Sequence, residues 1–129
     1  MPFVRIDLSK QYSDDFGRQV GDIVYEAMRQ NINLPENDKF QVITRHESNE
    51  LVTPISYLGV EYSEGIIFIQ IVLNEGRTTD LKKKFYKAVC DAVVEKLKVR
   101  PQDIVIHLIE VNKENWSFGN GEMQYGPKD

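Results

Sequence analysis

The chain has 129 residues, a single cysteine and a formal net charge of -4. A chain of this length suits one domain and buries about two thirds of its unfolded surface, so it has no need of disulfide staples. The acidic balance gives no basic footprint for nucleic acid, and the longest apolar stretch, 66–73 with Gln70 interrupting it, is far shorter than a membrane helix.

In chain order, Met1 is followed by the small residue Pro2, a pairing in which Met is normally trimmed. Trimming exposes a secondary amine at the head of an apolar strand, Phe3 to Leu8. Burial and neighbouring charge can bring such an amine to a pKa useful for proton transfer. The alternative is that Pro2 merely follows the start codon. No basic stretch followed by an apolar one opens the chain, so a cytoplasmic location is expected.

After the first strand the spacing predicts an amphipathic helix over about 13–30, a turn at Pro35 and a second strand over about 39–45. A shift of sixty-five residues repeats the pattern. Val4, Ile6 and Leu8 fall on Ile69, Ile71 and Leu73, and Val20, Ile23, Val24 and Ala27 fall on Phe85, Ala88, Val89 and Ala92. The second copy therefore reads as a strand, a helix over about 79–97, a turn at Pro101 and a strand over about 103–110. One domain over 1–129 is expected, with pseudo-repeats at about 2–46 and 66–111, a connecting segment 47–65 and a C-terminal turn and tail 112–129. Within each unit the strands should be parallel, joined by a right-handed crossover.

Strand 67–73 is apolar on both faces, with Ile67, Ile69, Ile71 and Leu73 on one and Phe68 and Val72 on the other. Two helices cover one face of a four-stranded sheet, so the other face requires either another subunit or the segment 47–65. A homo-oligomer is expected.

If the two first strands are antiparallel neighbours, Pro2 meets the end of the strand that runs into Gly76-Arg77 and the helix start Thr78-Thr79-Asp80. Arg77 would bind a carboxylate through two parallel hydrogen bonds and lower the amine pKa; the alternative is a surface arginine before a helix. Its counterpart in the first copy is Tyr12, a phenol near a pocket or an ordinary turn tyrosine. In Glu114 to Glu122, Trp116 and Phe118 stand beside Gly119 and Gly121, as an apolar pocket wall, as oligomer packing or as both. His46 and His107 have no metal-ligand spacing, and no metal is expected. Cys90 reads as packed, Lys82-Lys83-Lys84 as a solvated helix face beside a stripe of Leu81 and Phe85, and Gly119-Asn120-Gly121 lacks the setting of a nucleotide loop.

These residues resemble the tautomerase superfamily. Gly76-Arg77-Thr78-Thr79-Asp80 through Phe118-Gly119-Asn120-Gly121 looks like a whole 4-oxalocrotonate tautomerase unit. The fused pair is similar to the malonate semialdehyde decarboxylase branch in Leu34-Pro35, Asp38-Lys39-Phe40-Gln41, Val42-Ile43-Thr44-Arg45-His46, Glu50-Leu51-Val52 and Trp116-Ser117-Phe118-Gly119. Where that decarboxylase carries two arginines bracketing one residue, this chain has Glu75-Gly76-Arg77. The arginine that 4-oxalocrotonate tautomerase places early in its second strand is replaced by Phe40 and Val105.

The resemblance implies an α+β, MIF-like fold of tandem β-α-β units that share one four-stranded mixed sheet with two helices on one face, assembled as a homotrimer. It implies Pro2 at the bottom of a pocket, Arg77 gripping a substrate carboxylate, Trp116 and Phe118 lining an apolar wall, and Asp38 as an acid cooperating with the proline. A cofactor-independent tautomerase for a small 2-oxo acid such as phenylpyruvate is the leading expectation, with Tyr12 as a further binding group. A decarboxylase or hydratase using protonated Pro2 with Asp38 is the alternative, and a non-catalytic binding protein on the same scaffold is the second.

Overall fold

The computed structural model describes residues 2–127; Met1, whose removal the sequence predicts, lies outside them. The elements are β1 (Phe3–Ser9), α1 (Phe16–Asn31), β2 (Phe40–His46), β3 (Ser56–Tyr57), β4 (Val60–Glu61), β5 (Ile67–Asn74), α2 (Thr79–Leu97) and β6 (Ile104–Val111). Each half supplies a parallel β-α-β unit, and the halves join along antiparallel β1 and β5 in a four-stranded sheet of order β2-β1-β5-β6.

Alternation in the strands decides which side is core. Val4, Ile6 and Leu8 of β1 and Ile67, Ile69, Ile71 and Leu73 of β5 are at most 3% exposed. They pack with Val20, Ile23, Val24, Ala27 and Met28 of α1 and Phe85, Val89 and Val93 of α2. The α2 stripe begins at Phe85, one turn later than the sequence predicts. Leu81 is 37% exposed, and its turn is held by Lys82, which pairs with Glu110 instead. Helix α1 begins at Phe16 because Ser13 to Asp15 form a turn, in which Phe16 N–H donates to the Ser13 carbonyl at 3.1 Å.

Two glycines let α1 lie close on β2. A Cβ at Gly17 would stand 2.4 Å from Ile43 Cγ2, and one at Gly21 would stand 2.2 Å from Gln41 Oε1. The Gln41 amide donates to the Gly21 carbonyl at 2.8 Å and fixes this approach.

Among the described residues the opposite face of the sheet carries no helix. The segment 47–65 reaches only one end of it, where Tyr57, Tyr62, Phe68 and Val105 help line an apolar hollow of about 350 Å³. Phe40, Val42 and Ile109 remain 46%, 38% and 41% exposed. Within that segment β3 and β4 form a hairpin whose tip residues, Leu58 and Gly59, both have positive φ, 51° and 84°. Among the described residues no helix is long and apolar enough to cross a membrane.

Candidate active site

Strand register brings the predicted residues to one end of the sheet. Phe3 pairs with Phe40 of β2 on one side and with Val72 of β5 on the other. Pro2, buried, therefore lies between the entry to β2, where Asp38 stands, and the exit of β5, which leads to Arg77. Because β6 runs parallel to β5, its end and the following Trp116 and Phe118 arrive at the same place. Pro2, Asp38, Arg77, Trp116 and Phe118 thus gather from both halves of the chain.

Each is held by its local structure. Ahead of Asp38 the chain turns with Asn37 at φ 67°, the Asp38 N–H donates to the Pro35 carbonyl at 3.3 Å, and the Asn37 N–H donates to the Tyr25 hydroxyl at 3.0 Å. Lys39 then pairs with Asp22 of α1. Arg77 follows Gly76 at φ 123°, a value costly for a residue with a side chain, and its Nη1 donates to the Asn74 carbonyl at 2.7 Å. Thr78 caps α2 by accepting the Leu81 N–H at 3.2 Å.

Trp116 stacks on Phe118, with centroids 5.6 Å apart and planes at 15°, and its Nε1 donates to Asn74 Oδ1 at 2.8 Å. Tyr125 meets Phe118 edge-on at 5.3 Å. Gln124 clamps the Gly119 turn by accepting the Phe118 N–H at 2.9 Å and donating to the Gly119 carbonyl at 3.1 Å. Asp38, Phe40, Phe118, Gln124 and Tyr125, with Glu36 and Asn37, line a cleft of about 420 Å³.

Glu75, which stands where the decarboxylase branch has an arginine, is exposed. The acid that faces the Arg77 turn is Glu110. Its hydrogen bond from Lys82 at 2.5 Å, the charge of Lys82, the Gly76 N–H and the charge of Arg77 hold its carboxyl below the ordinary glutamate value.

Tyr12 is not brought to this end. It lies beyond the far end of β1, stacked on Phe16 at 4.3 Å, and its hydroxyl donates to the Gly65 carbonyl at 2.5 Å. Burial and the Asp103 carboxylate push its phenol above the ordinary range, so it remains a donor. Asp103 is the sixty-five-residue counterpart of Asp38 and is 2% exposed. It accepts the Ser63 N–H at 2.8 Å, the Ser63 hydroxyl, and Arg100 Nη1 at 3.3 Å. With Ile67 in place of a proline, this end is a staple.

Asn74, Glu110, Gln124 and Tyr125 escaped sequence reasoning. Asn74 and Glu110 sit in strands whose alternation advertises only burial; Tyr125 carried a signal, an aromatic residue in a polar tail beyond two glycines.

A family model of tautomerase enzymes matches residues 38–119, well over half of the chain. Probable tautomerase YusQ of Bacillus subtilis (strain 168) is 37% identical over 124 residues, which span 96% of this chain and 98% of that protein. The chain belongs to the tautomerase family. Among solved structures, FG41 malonate semialdehyde decarboxylase inhibited by 3-bromopropiolate is similar to this tautomerase with a TM-score of 0.88 and 28% identity, over 95% of this chain and 93% of that one. A fused 4-OT wild-type symmetric trimer shares the fold at a TM-score of 0.75 and 17% identity, over 93% and 94%. The tautomerase fold thus brings an N-terminal segment, an arginine turn and an aromatic wall to one end of one sheet.

Proposed function

We propose that this tautomerase interconverts the enol and keto forms of a small 2-oxo acid such as phenylpyruvate. The observation that carries the reading is the convergence of Pro2 and Arg77 at the exit of β5, beside an aromatic cleft. With Met1 removed, neutral Pro2 accepts the enol O–H proton as the carbonyl forms, and a proton is delivered from the prolyl nitrogen to the carbon, so the base is regenerated. Arg77 binds the carboxylate and polarises the adjacent oxygen. Trp116 and Phe118 receive the apolar side of the substrate.

A second reading is supported by the position of Asp38 at the entry to β2 and by the likeness to a malonate semialdehyde decarboxylase. There Pro2 remains protonated and Asp38 activates water or steers the carboxylate of a 3-oxo or unsaturated acid. A nearby cation lowers the amine pKa and a nearby carboxylate raises it, so titration of the Pro2 nitrogen by NMR separates the two. A value well below neutral pH, together with at least a tenfold loss of phenylpyruvate tautomerisation in Pro2→Ala, is the expected result. Full activity in Pro2→Ala, or an intact mass that retains Met1, overturns both mechanisms.

We also infer a homotrimer, in which further copies cover the helix-free face around Phe40, Val42 and Ile109. The symmetric trimer of the fused 4-OT supports this assembly. Sedimentation of Val42→Asp as a monomer, against a trimeric parent, is the expected outcome; a monomeric parent sinks the inference.

A further inference from the structure

We propose that Asn74 is a positioning residue that couples the Trp116 wall to the Arg77 guanidinium and thereby sets how a substrate carboxylate is gripped; this rests on the tautomerase reading above. Asn74 ends β5 opposite Val111, the last residue of β6, and is half-buried. Its two oxygens serve two different groups. The backbone carbonyl accepts Arg77 Nη1 at 2.7 Å, and the side-chain Oδ1 accepts Trp116 Nε1 at 2.8 Å. An indole N–H only donates, so this contact fixes which way the Asn74 amide is turned.

The consequence for Arg77 is chemical as well as spatial. A guanidinium presents two forks, one across its terminal nitrogens and one along the Nη2–Nε side. One Nη1 hydrogen goes to the Asn74 carbonyl, so the side fork is the one whose two nitrogens are both uncommitted among the described residues and can take both oxygens of a carboxylate. Trp116 determines where that fork sits, because the indole bond pins the residue whose carbonyl holds Nη1. The wall and the cation therefore keep one mutual spacing, and the site selects an acid whose apolar group and carboxylate match it.

The coupling predicts a loss confined to the charged end of the substrate. Trp116→Phe keeps a stacked ring and deletes the indole donor, and Asn74→Ala deletes its acceptor. Each is expected to weaken KM and Kd for phenylpyruvate about three- to tenfold, the worth of one net hydrogen bond, with kcat little changed. The methyl ester of phenylpyruvate, which offers no carboxylate, should lose less than twofold in Asn74→Ala, and in Trp116→Phe, which also trims the wall, it should lose distinctly less than the acid. The double variant should be no worse than the poorer single variant, because both break one link.

Trp116 is the one tryptophan, so its indole N–H gives a single NMR resonance that should move upfield in Asn74→Ala. Equal losses for acid and ester, additive losses in the double variant, or an unmoved resonance overturn the coupling. A wild type that binds phenylpyruvate without turning it over sinks the tautomerase reading alone, and the Kd comparison then decides the coupling. If wild type binds neither compound, both fall. Should Asn74→Ala fail to fold, Trp116→Phe decides the acid-against-ester comparison.

Discussion

Phe40 and Phe118, one from each half of the chain, stand with ring centroids 6.2 Å apart at the cleft that Asp38 also lines. The wall continues from Phe118 to Trp116 and Tyr125, so an aryl group entering the cleft meets aromatic surface contributed mainly by the C-terminal segment. Phe118 is the hub, because its ring touches all three others. Phe118→Ala should raise KM for phenylpyruvate about tenfold, roughly what loss of one to two kcal/mol of apolar and ring contact produces. The KM for 2-oxobutanoate, too short to reach the wall, should change less than twofold. Equal effects on the two acids would remove the wall from substrate binding.

Arg77 offers a second test, because its proposed task depends on shape as well as charge. Lysine preserves the charge but has no fork, and it cannot bond the Asn74 carbonyl and a bidentate carboxylate together. Arg77→Lys should therefore lose at least tenfold in kcat/KM for phenylpyruvate, close to the loss in Arg77→Ala. Near-wild-type kinetics in the lysine variant would reduce Arg77 to a source of positive potential.

Much of the fold was legible because burial writes a period into the chain. The alternation of Val4, Ile6 and Leu8, and its echo in Ile69, Ile71 and Leu73, anticipates the strands. The antiparallel joining that sends Pro2 toward Arg77 enters the sequence reading only as a supposition, because a period of two carries no strand direction. Tyr12 shows where such reasoning stops. The shift of sixty-five residues makes it the counterpart of Arg77, but that relation maps one end of the sheet onto the other and so carries Tyr12 away from Pro2. Asn74 and Glu110 were illegible for another reason. Their importance lies in single hydrogen bonds to residues distant in sequence, which leave no period and no motif.

The divergence of the two ends predicts opposite outcomes for equivalent acids. Asp103 accepts from Ser63 and Arg100 in a closed, buried arrangement, whereas Asp38 lines the cleft. Asp103→Ala leaves the Ser63 N–H and hydroxyl without their acceptor, at a cost of about 1–3 kcal/mol, and should lower Tm by several degrees. Its kcat/KM at 25 °C should stay within twofold of wild type. In Asp38→Asn the stability change should be smaller and the kinetic change larger. A kinetic defect in Asp103→Ala beyond what lost folded protein explains would point to chemistry at both ends.

Glu110 supplies the pH dependence. Lys82, the Gly76 N–H and Arg77 favour its ionised form, so its folded pKa lies below the unfolded value near 4.5. A depressed carboxyl stabilises the fold above the unfolded value, and that contribution fades as pH falls through the folded one. Glu110→Gln removes the charge, so wild type should melt above the variant at pH 7. The gap should narrow below about pH 4.5 and close at lower pH. Because the Lys82–Glu110 pair is partly open to solvent, with side chains 28% and 32% exposed, the gap should be a few degrees at most and shrink in high salt. Melting curves of both proteins from pH 7 to pH 3 in low and high salt test this. A gap that persists unchanged at pH 3 would mean that Glu110 acts through its shape and neutral hydrogen bonds, and that its charge contributes nothing to holding the Gly76–Arg77 turn.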